Sequence, residues 1–252
     1  MNAPIAKPKT GTSEFWILGI ALVFPSVLTW IYFVALKSYE PWLQQTAYSI
    51  GKAIQFTAPI VFVWLWKRDF LKTSPLLPKP WNWNRWDVIG LAFGAIVVAA
   101  MIGLYYGFFA GTQIAEVLIE KANQKTVGIG IDTSLKFLGL GVFYALCHSF
   151  MEEYYWRWFV YGRLKNYIAP LGANVISSLG FMAHHVILLA VFFEGNFGLA
   201  LLLASGVGIG GAFWAWLYDR SGDLRSPWLS HLIVDAGIFS LGFLLIREFL
   251  VG

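Results

Sequence analysis

Long apolar runs separated by short polar segments dominate the pattern of this chain. Residues 15–36, 88–110 and 197–217 contain no Asp, Glu, Lys or Arg. A helix that crosses the hydrocarbon core of a bilayer needs about 20 such residues. The pattern therefore predicts an all-α fold, a polytopic transmembrane helical bundle with about seven spans, within a range of six to eight. The predicted spans are residues 15–36, 46–66, 88–111, 134–162, 172–193, 197–217 and 228–248.

The composition agrees with this class of protein. Charged residues make up only 13% of the 252 residues, against about 25% in soluble globular domains. So few charges cannot cover a water-facing surface, which excludes the soluble class. We find no internal repeat and no linker long enough to divide the chain. We therefore predict one integral membrane domain over residues 1–252.

The basic residues predict the orientation of the bundle. The segment 67–87 combines cations, prolines and tryptophans, a mixture typical of the lipid headgroup zone, and residues 112–133 look like a second surface loop. Eleven lysines and arginines fall on the side of the N-terminus and at most six on the other, with Lys52 interpreted as lying near a span end. The positive-inside rule then predicts a cytoplasmic N-terminus. It explains the net charge of +4 better than nucleic-acid binding does.

Titratable residues inside predicted spans are the candidates for function, because such residues are costly in a bilayer and commonly line a cavity. They fall in the fourth, fifth and seventh spans. At about 1.5 Å per residue from the span ends, their depths are compatible with one shared site. These residues are His148, Glu152, Glu153, Arg157, His184, His185, His231 and Asp235.

Helical angles suggest how the carboxylates divide. Glu153 and Arg157 are four residues apart, so they can form an ion pair within one helix. Glu152 is turned by about 100° from Glu153 and therefore faces something else. His231 and Asp235 are also four apart, so this carboxylate can hold or polarise the imidazole. The purely structural alternatives are a neutralised Glu153–Arg157 pair that locks helices together and a His148 that packs in the core.

A run of glycines in the sixth predicted span needs a separate interpretation. The sequence SGVGIGGAF, residues 205–213, superficially resembles a nucleotide-binding turn, but no strand precedes it and it lies in the middle of a span. Gly206 and Gly210 are four residues apart, which favours close helix packing.

Three motifs, in order on successive spans, carry a family resemblance. EEYYWR (152–157) matches EExxxR, FMAHH (181–185) matches FxxxH, and HLIVD (231–235) matches HxxxN/D. Together they resemble the CAAX-protease and bacteriocin-processing family of intramembrane endopeptidases. The resemblance implies a conical intramembrane cavity, a motif-bearing catalytic core at about 134–248, and a bacterial inner (plasma) membrane as the location. Eukaryotic members remove the last three residues of prenylated CAAX proteins, so a peptide or protein substrate, prenylated in some members, is expected beside membrane lipid.

The resemblance also assigns roles to individual residues. Glu152 would activate water together with His185, while His231 and Asp235 would stabilise the oxyanion. The doubled histidine leaves His184 as the alternative to His185. The supporting residues would be Glu153, Arg157, Phe181, His184 and His148.

Two other functions remain open for the same residues. The resemblance implies a glutamate-dependent peptidase without a cofactor, but a divalent metal held by four of these side chains would make a metallopeptidase of the zinc type. A non-catalytic membrane binding or immunity protein could use the same cavity. The four candidate metal ligands are Glu152, His185, His231 and Asp235.

Overall fold

The computed structural model describes residues 12–66 and 82–251, and this part of the chain is helical with no strand beyond an isolated bridge between Thr133 and Val251. Its α-helices are α1 Thr12–Trp30, α2 Pro41–Trp66, α3 Arg85–Leu104, α4 Gln113–Gly128, α5 Ser134–Phe143, α6 Ser149–Glu153, α7 Gly162–Leu164, α8 Pro170–Phe192, α9 Phe197–Ser221 and α10 Arg225–Ile246. A 3-10 turn, Arg247–Phe249, follows α10, and π-helical turns cover Ile31–Ala35, Tyr105–Phe109, Tyr144–His148 and Tyr154–Tyr161.

Seven helical segments of the described chain are long and apolar enough to cross a membrane, as the pattern predicts. Large apolar side chains lie exposed on their outer faces, among them Trp16 and Leu171. A helix surface of this kind suits lipid and not water. We number the segments as spans 1 to 7: Glu14–Ala35, Pro41–Leu65, Arg85–Phe109, Ser134–Leu164, Pro170–Phe192, Phe197–Ser221 and Arg225–Phe249.

Span 2 begins earlier than the apolar pattern indicates, with Pro41 as its first residue. Proline suits the first turn of a helix because its missing N–H has no partner there in any case. The polar residues after Pro41 break the apolar pattern, so the sequence predicted a later start at residue 46. Lys52 consequently lies near the middle of span 2, so its placement near a span end was wrong.

The segment interpreted as a second surface loop is mostly helix α4. Thr112 caps this helix by accepting from the Ala115 N–H, and Ala115 and Thr126 are buried. Lys121 pairs with Glu194 over 3.1 Å, at the turn between spans 5 and 6. The mixture of charges and apolar residues in α4 is typical of a helix that covers the end of a bundle and does not cross it. The loop prediction was therefore wrong for 113–128.

Spans 3 and 7 pack backbone to backbone at their first turns. A Cβ built on Gly90 would lie 2.7 Å from the Ser226 carbonyl oxygen, so only glycine permits this approach. Asp87 accepts from the Ser226 hydroxyl over 2.6 Å and from Arg225 Nη2 over 2.8 Å. These contacts fix the first turns of span 7, and with them the position of His231.

Pro25 removes one backbone hydrogen bond from the helix of span 1, and a side chain of span 4 replaces it. Proline has no N–H, so the carbonyl of Ala21, four residues earlier, loses its helical donor. The Tyr155 hydroxyl donates to this carbonyl over 2.6 Å. Span 4 is the central helix of the bundle, since all eight residues of its Tyr154–Tyr161 turn are buried.

The glycine-based prediction for span 6 was wrong in its residues. A Cβ on Gly206 would meet nothing within 4 Å, and one on Gly210 would meet only Trp214 of its own helix. Close approach occurs instead at Gly211, where a Cβ would lie 3.1 Å from Phe181 and 3.4 Å from Arg157. Sequence spacing alone could not tell which side of span 6 faces the core.

Candidate active site

Glu152 is the centre of the candidate site, buried to 3% exposure on α6 between two π-helical turns. Its Oε1 lies 3.8 Å from His148 Nε2 and 3.7 Å from His184 Nε2, and its Oε2 lies 3.8 Å from His231 Nε2. Imidazoles from spans 4, 5 and 7 therefore converge on one carboxylate. The separations exceed hydrogen-bond length, which leaves both oxygens able to accept from another donor.

Glu153, the second glutamate, is fully buried and engaged on both oxygens. Its Oε2 lies 3.2 Å from Arg157 Nε, the ion pair that the sequence predicts. Its Oε1 lies 2.7 Å from His231 Nδ1. The contact with His231 joins residues 78 positions apart, so the spacing of residues within one helix could not predict it. Glu153 thus fixes both Arg157 and the imidazole of span 7.

Arg157 is held by three further groups. Its Nη2 donates to the Gly211 carbonyl over 3.3 Å, and its guanidinium lies 4.7 Å from the Phe181 ring centroid and 5.1 Å from that of Trp214. The two aromatic faces and the carboxylate offset part of the cost of burying this guanidinium, although its Nη1 makes no hydrogen bond to the described residues. The sequence identified Phe181 but missed Gly211 and Trp214, which only span 6 packing brings here.

The imidazole of His231 is held by Trp214 against its face and by Glu153 at Nδ1. It stacks on Trp214 with ring centroids 4.1 Å apart and an interplanar angle of 15°, and Trp214 Nε1 donates to the Ser230 hydroxyl over 3.0 Å. Its Nε2 faces Asp235 Oδ1 at 3.5 Å as well as Glu152. The predicted neighbours His231 and Asp235 do meet, but Glu153 makes the hydrogen bond that orients the ring.

The two histidines of span 5 take different positions. His184 lies against Glu152, and its ring runs parallel to Trp156 at 5.9 Å. His185 lies beside it, with ring centroids 4.1 Å apart, and its Nδ1 is 2.9 Å from the Phe181 carbonyl oxygen. Because a carbonyl only accepts, His185 Nδ1 carries the proton and Nε2 keeps its lone pair. Of these two histidines of span 5, His184 is the one within 4 Å of Glu152, while His185 is the one whose tautomer is fixed by a hydrogen bond.

His148 completes the Glu152 environment and leads to a residue that the sequence interpretation missed. Its ring lies 4.6 Å from Tyr144 and 6.2 Å from Phe56. Lys52 lies over Phe56 with Nζ 5.3 Å from the ring centroid. The sequence signal for Lys52 was a single cation inside an apolar run. It was missed because span 2 was predicted to begin at residue 46, which placed Lys52 near a span end.

Comparison with known families finds a match for part of the chain. Residues 134–237 match the family model described as Type II CAAX prenyl endopeptidase Rce1-like. We refer to this segment, which is similar to that family, as the Rce1-like domain. All three motifs lie inside it, so the resemblance seen in the sequence is confirmed over this range. Comparison with curated proteins and with solved structures gave no match. The chain is thus a multi-pass membrane protein, and the family that matches residues 134–237 indicates a CAAX-type peptidase acting on a peptide or protein substrate in the membrane.

The Rce1-like domain receives support from spans that lie outside the family match. Span 1 supplies the Ala21 carbonyl to Tyr155, span 2 supplies Lys52 and Phe56, and span 3 holds the start of span 7 through Asp87. The side chains of the candidate site are therefore positioned by contacts from spans 1 to 3 as well as by the matched segment.

A metal-binding arrangement was the sequence-based alternative for these residues. Within 12–66 and 82–251, no group of three or more His, Cys, Asp or Glu side chains is arranged so that it could hold a metal ion. The four residues named as candidate ligands are also engaged elsewhere in part, as His185 Nδ1 is with Phe181 and His231 Nδ1 with Glu153.

A cavity of about 170 Å³ lies away from Glu152. It is lined by spans 1, 2 and 4, including Ala21, Gln55, Pro59 and Tyr155, and it is largely apolar. The conical cavity that the resemblance implies at the site stays a prediction.

Proposed function

We propose that the Rce1-like domain hydrolyses a peptide bond with a water molecule activated by Glu152, without a metal. The observation that carries this proposal is the division of labour between adjacent glutamates. Glu153 is committed to Arg157 and His231, whereas Glu152 has imidazoles around it and no hydrogen bond to either oxygen from the described residues. A carboxylate kept available in this way can serve as a general base.

The proposed reaction begins with water between Glu152 and His185. Glu152 takes one proton, and the water oxygen attacks the substrate carbonyl carbon. The C–N bond of the tetrahedral intermediate then breaks, and the proton on Glu152 passes to the leaving amine nitrogen. His185 is assigned to the water because its Nδ1 is bonded to Phe181 and its Nε2 is available. His184, at 3.7 Å, is assigned to steadying the Glu152 carboxylate.

Oxyanion stabilisation is assigned to span 7. His231 Nε2 points to the Glu152–Asp235 side of its ring, while Nδ1 is bonded to Glu153. A protonated His231 would then donate from Nε2 to the oxyanion and remain balanced by Glu153. Asp235 lies beside the same nitrogen and can add a second donor when protonated. Donors aimed at developing charge in a dry site make large contributions to catalysis.

For the substrate, we propose a CAAX-like peptide cut near its C-terminus, with prenylation as in the family description. For the location, we propose a bacterial inner membrane with the N-terminus in the cytoplasm, because the basic residues concentrate on that side. Single cysteines on a Cys147→Ser background test the orientation. Positions in 67–87 should resist impermeant thiol reagents in intact cells, and positions in 121–125 should react. The reverse pattern would invert the topology.

The decisive experiment on function is turnover by the purified Glu152→Gln variant. We expect activity on a prenylated CAAX peptide to fall to background while thermal unfolding in detergent stays close to that of the wild type. Glu120→Gln is the matched control, because Glu120 is exposed on α4 and only accepts from Gln124. Near-normal turnover by Glu152→Gln would reject the assignment.

The same assay separates the two other functions. A metallopeptidase would lose activity in a strong chelator and regain it with zinc, whereas the proposed mechanism is unaffected. A non-catalytic binding or immunity protein would keep its full biological activity as the Glu152→Gln variant.

A further inference from the structure

Lys52 is a cation near the middle of span 2, where its position calls for an explanation. At about 1.5 Å per residue, it lies far from both ends of Pro41–Leu65. Charged residues at such depth almost always face a bundle interior or a polar cavity. Lys52 is half-buried, and its ammonium lies over Phe56, a ring of its own span that packs against His148 of span 4.

The surroundings of Lys52 hold the ammonium without neutralising it. Its Nζ lies 5.5 Å from the Tyr48 ring centroid and 5.3 Å from that of Phe56. Within 12–66 and 82–251 it forms no ion pair with any carboxylate. Aromatic faces attract a cation but carry no net charge, so the positive charge of Lys52 is left unbalanced at contact distance.

Lys52 nevertheless belongs to the candidate site. Phe56 packs on the His148 ring, and His148 Nε2 lies 3.8 Å from Glu152 Oε1. The proposed oxyanion group, His231, lies on the Oε2 side of the same carboxylate. Lys52 thus approaches the site from the His148 side, whereas His231 lies next to the other oxygen of Glu152.

We propose that Lys52 binds the α-carboxylate at the C-terminus of the peptide substrate. The proposal rests on the proposed function, because a substrate cut three residues from its end brings a free carboxylate to within about 10 Å of the scissile bond. Burying that charge in the bundle requires a cation without another partner. Arg157 does not qualify, since Glu153 and Gly211 hold it. Lys52 does qualify, and its aromatic neighbours hold the ammonium in place while no substrate is bound.

This role predicts a requirement for a free C-terminus. Two peptides of identical sequence, one ending in a carboxylate and the other in an amide, test it directly. For the wild-type protein we expect kcat/KM to be at least tenfold higher for the carboxylate, since a charge-assisted contact is lost with the amide. Wild-type protein without such a preference overturns the proposal, and this measurement needs no variant.

Substitution of Lys52 then locates the preference. Lys52→Met keeps the length of the side chain, and we expect it to lower kcat/KM for the carboxylate peptide at least tenfold while changing the amide peptide little. Lys52→Arg should retain most of the preference. Lys136→Met is the matched control, because Lys136 is exposed and pairs with Asp132 over 2.5 Å. An equal loss on both peptides would instead show that Lys52 acts on Glu152, and would overturn the proposal.

Binding separates this proposal from the proposed function. The Glu152→Gln protein should bind the carboxylate peptide more tightly than the amide peptide, and the added Lys52→Met change should remove the difference. If Glu152→Gln keeps normal turnover, the proposed mechanism fails while this comparison still tests Lys52. Equal affinity of the Glu152→Gln protein for both peptides overturns the role of Lys52 even if Glu152 is catalytic.

Discussion

His231 Nδ1 lies 2.7 Å from Glu153 Oε1, and this contact joins the first and third motifs of the Rce1-like domain. The same glutamate meets Arg157 Nε through its other oxygen at 3.2 Å. Glu153 therefore has a structural task on its own helix and an orienting task on span 7. Removing its charge and removing its partner Arg157 should have different consequences for stability and for activity.

Arg157→Ala should lower the free energy of unfolding by about 3–5 kcal/mol, because it leaves Glu153 as a buried charge without its cation. The double variant Glu153→Gln/Arg157→Gln should recover much of this stability, yet it should remain weakly active because the charge beside His231 is gone. Unfolding in detergent and turnover of the same preparations measure both. As a control, Lys121→Ala breaks an exposed pair with Glu194 and should cost less than about 1 kcal/mol. Absence of recovery in the double variant would show that Glu153 and Arg157 are not energetic partners.

Alanine variants of the two histidines of span 5 should differ in how much kcat they lose. His185→Ala should lower kcat by at least about a hundredfold, the usual scale for a proton-transfer partner. His184→Ala should lower it less, because it removes only a neighbour that steadies Glu152. Steady-state kinetics on one peptide decides this. A larger loss for His184→Ala would transfer the water-binding role to the residue that lies 3.7 Å from Glu152.

Asp235→Asn should keep activity within about tenfold of the wild type, since Glu153 and not Asp235 makes the orienting hydrogen bond to His231. An amide donates to an oxyanion without a titratable proton, whereas Asp235 must be protonated to donate. The wild type loses that donor as pH rises, so the high-pH limb of the rate profile should move upward in Asp235→Asn. Asp235→Leu should be nearly inactive. A loss of several orders of magnitude in Asp235→Asn would mean that an ionised Asp235 is needed.

Tyr155→Phe should destabilise the bundle by about 1–2 kcal/mol, the scale of a hydrogen bond between membrane helices in peptide studies. It leaves the Ala21 carbonyl without a donor, because Pro25 cannot supply one. In a Pro25→Ala background the helix itself supplies the N–H, so the same change should cost less. Tyr106→Phe, at an exposed tyrosine, is the control. Equal costs in both backgrounds would show that the two residues are not coupled.

The sequence by itself determined the class of this protein and predicted most of the residues that meet in its candidate site. Runs without charge over 15–36, 88–110 and 197–217 predict membrane-spanning helices, because about 20 apolar residues cross the hydrocarbon core and a helix satisfies its backbone hydrogen bonds within itself. The helical repeat paired Glu153 with Arg157, and depth along the helices grouped three sets of titratable residues. These inferences succeed because they depend on local geometry and on the thickness of a bilayer.

Only the tertiary structure decided which side chains meet across helices. The angle between Glu152 and Glu153 could not reveal that Glu153 also reaches His231, since that contact depends on how span 7 packs against spans 3 and 4. The same packing selected Gly211 over Gly206 and Gly210, and it brought His184 nearer to Glu152 than His185. Lys52 lies near the site because Phe56, one turn after it in span 2, packs against His148 of span 4. A sequence fixes the direction of a side chain relative to its own helix, whereas the rotation and height of each helix follow from the sum of its contacts with all the others.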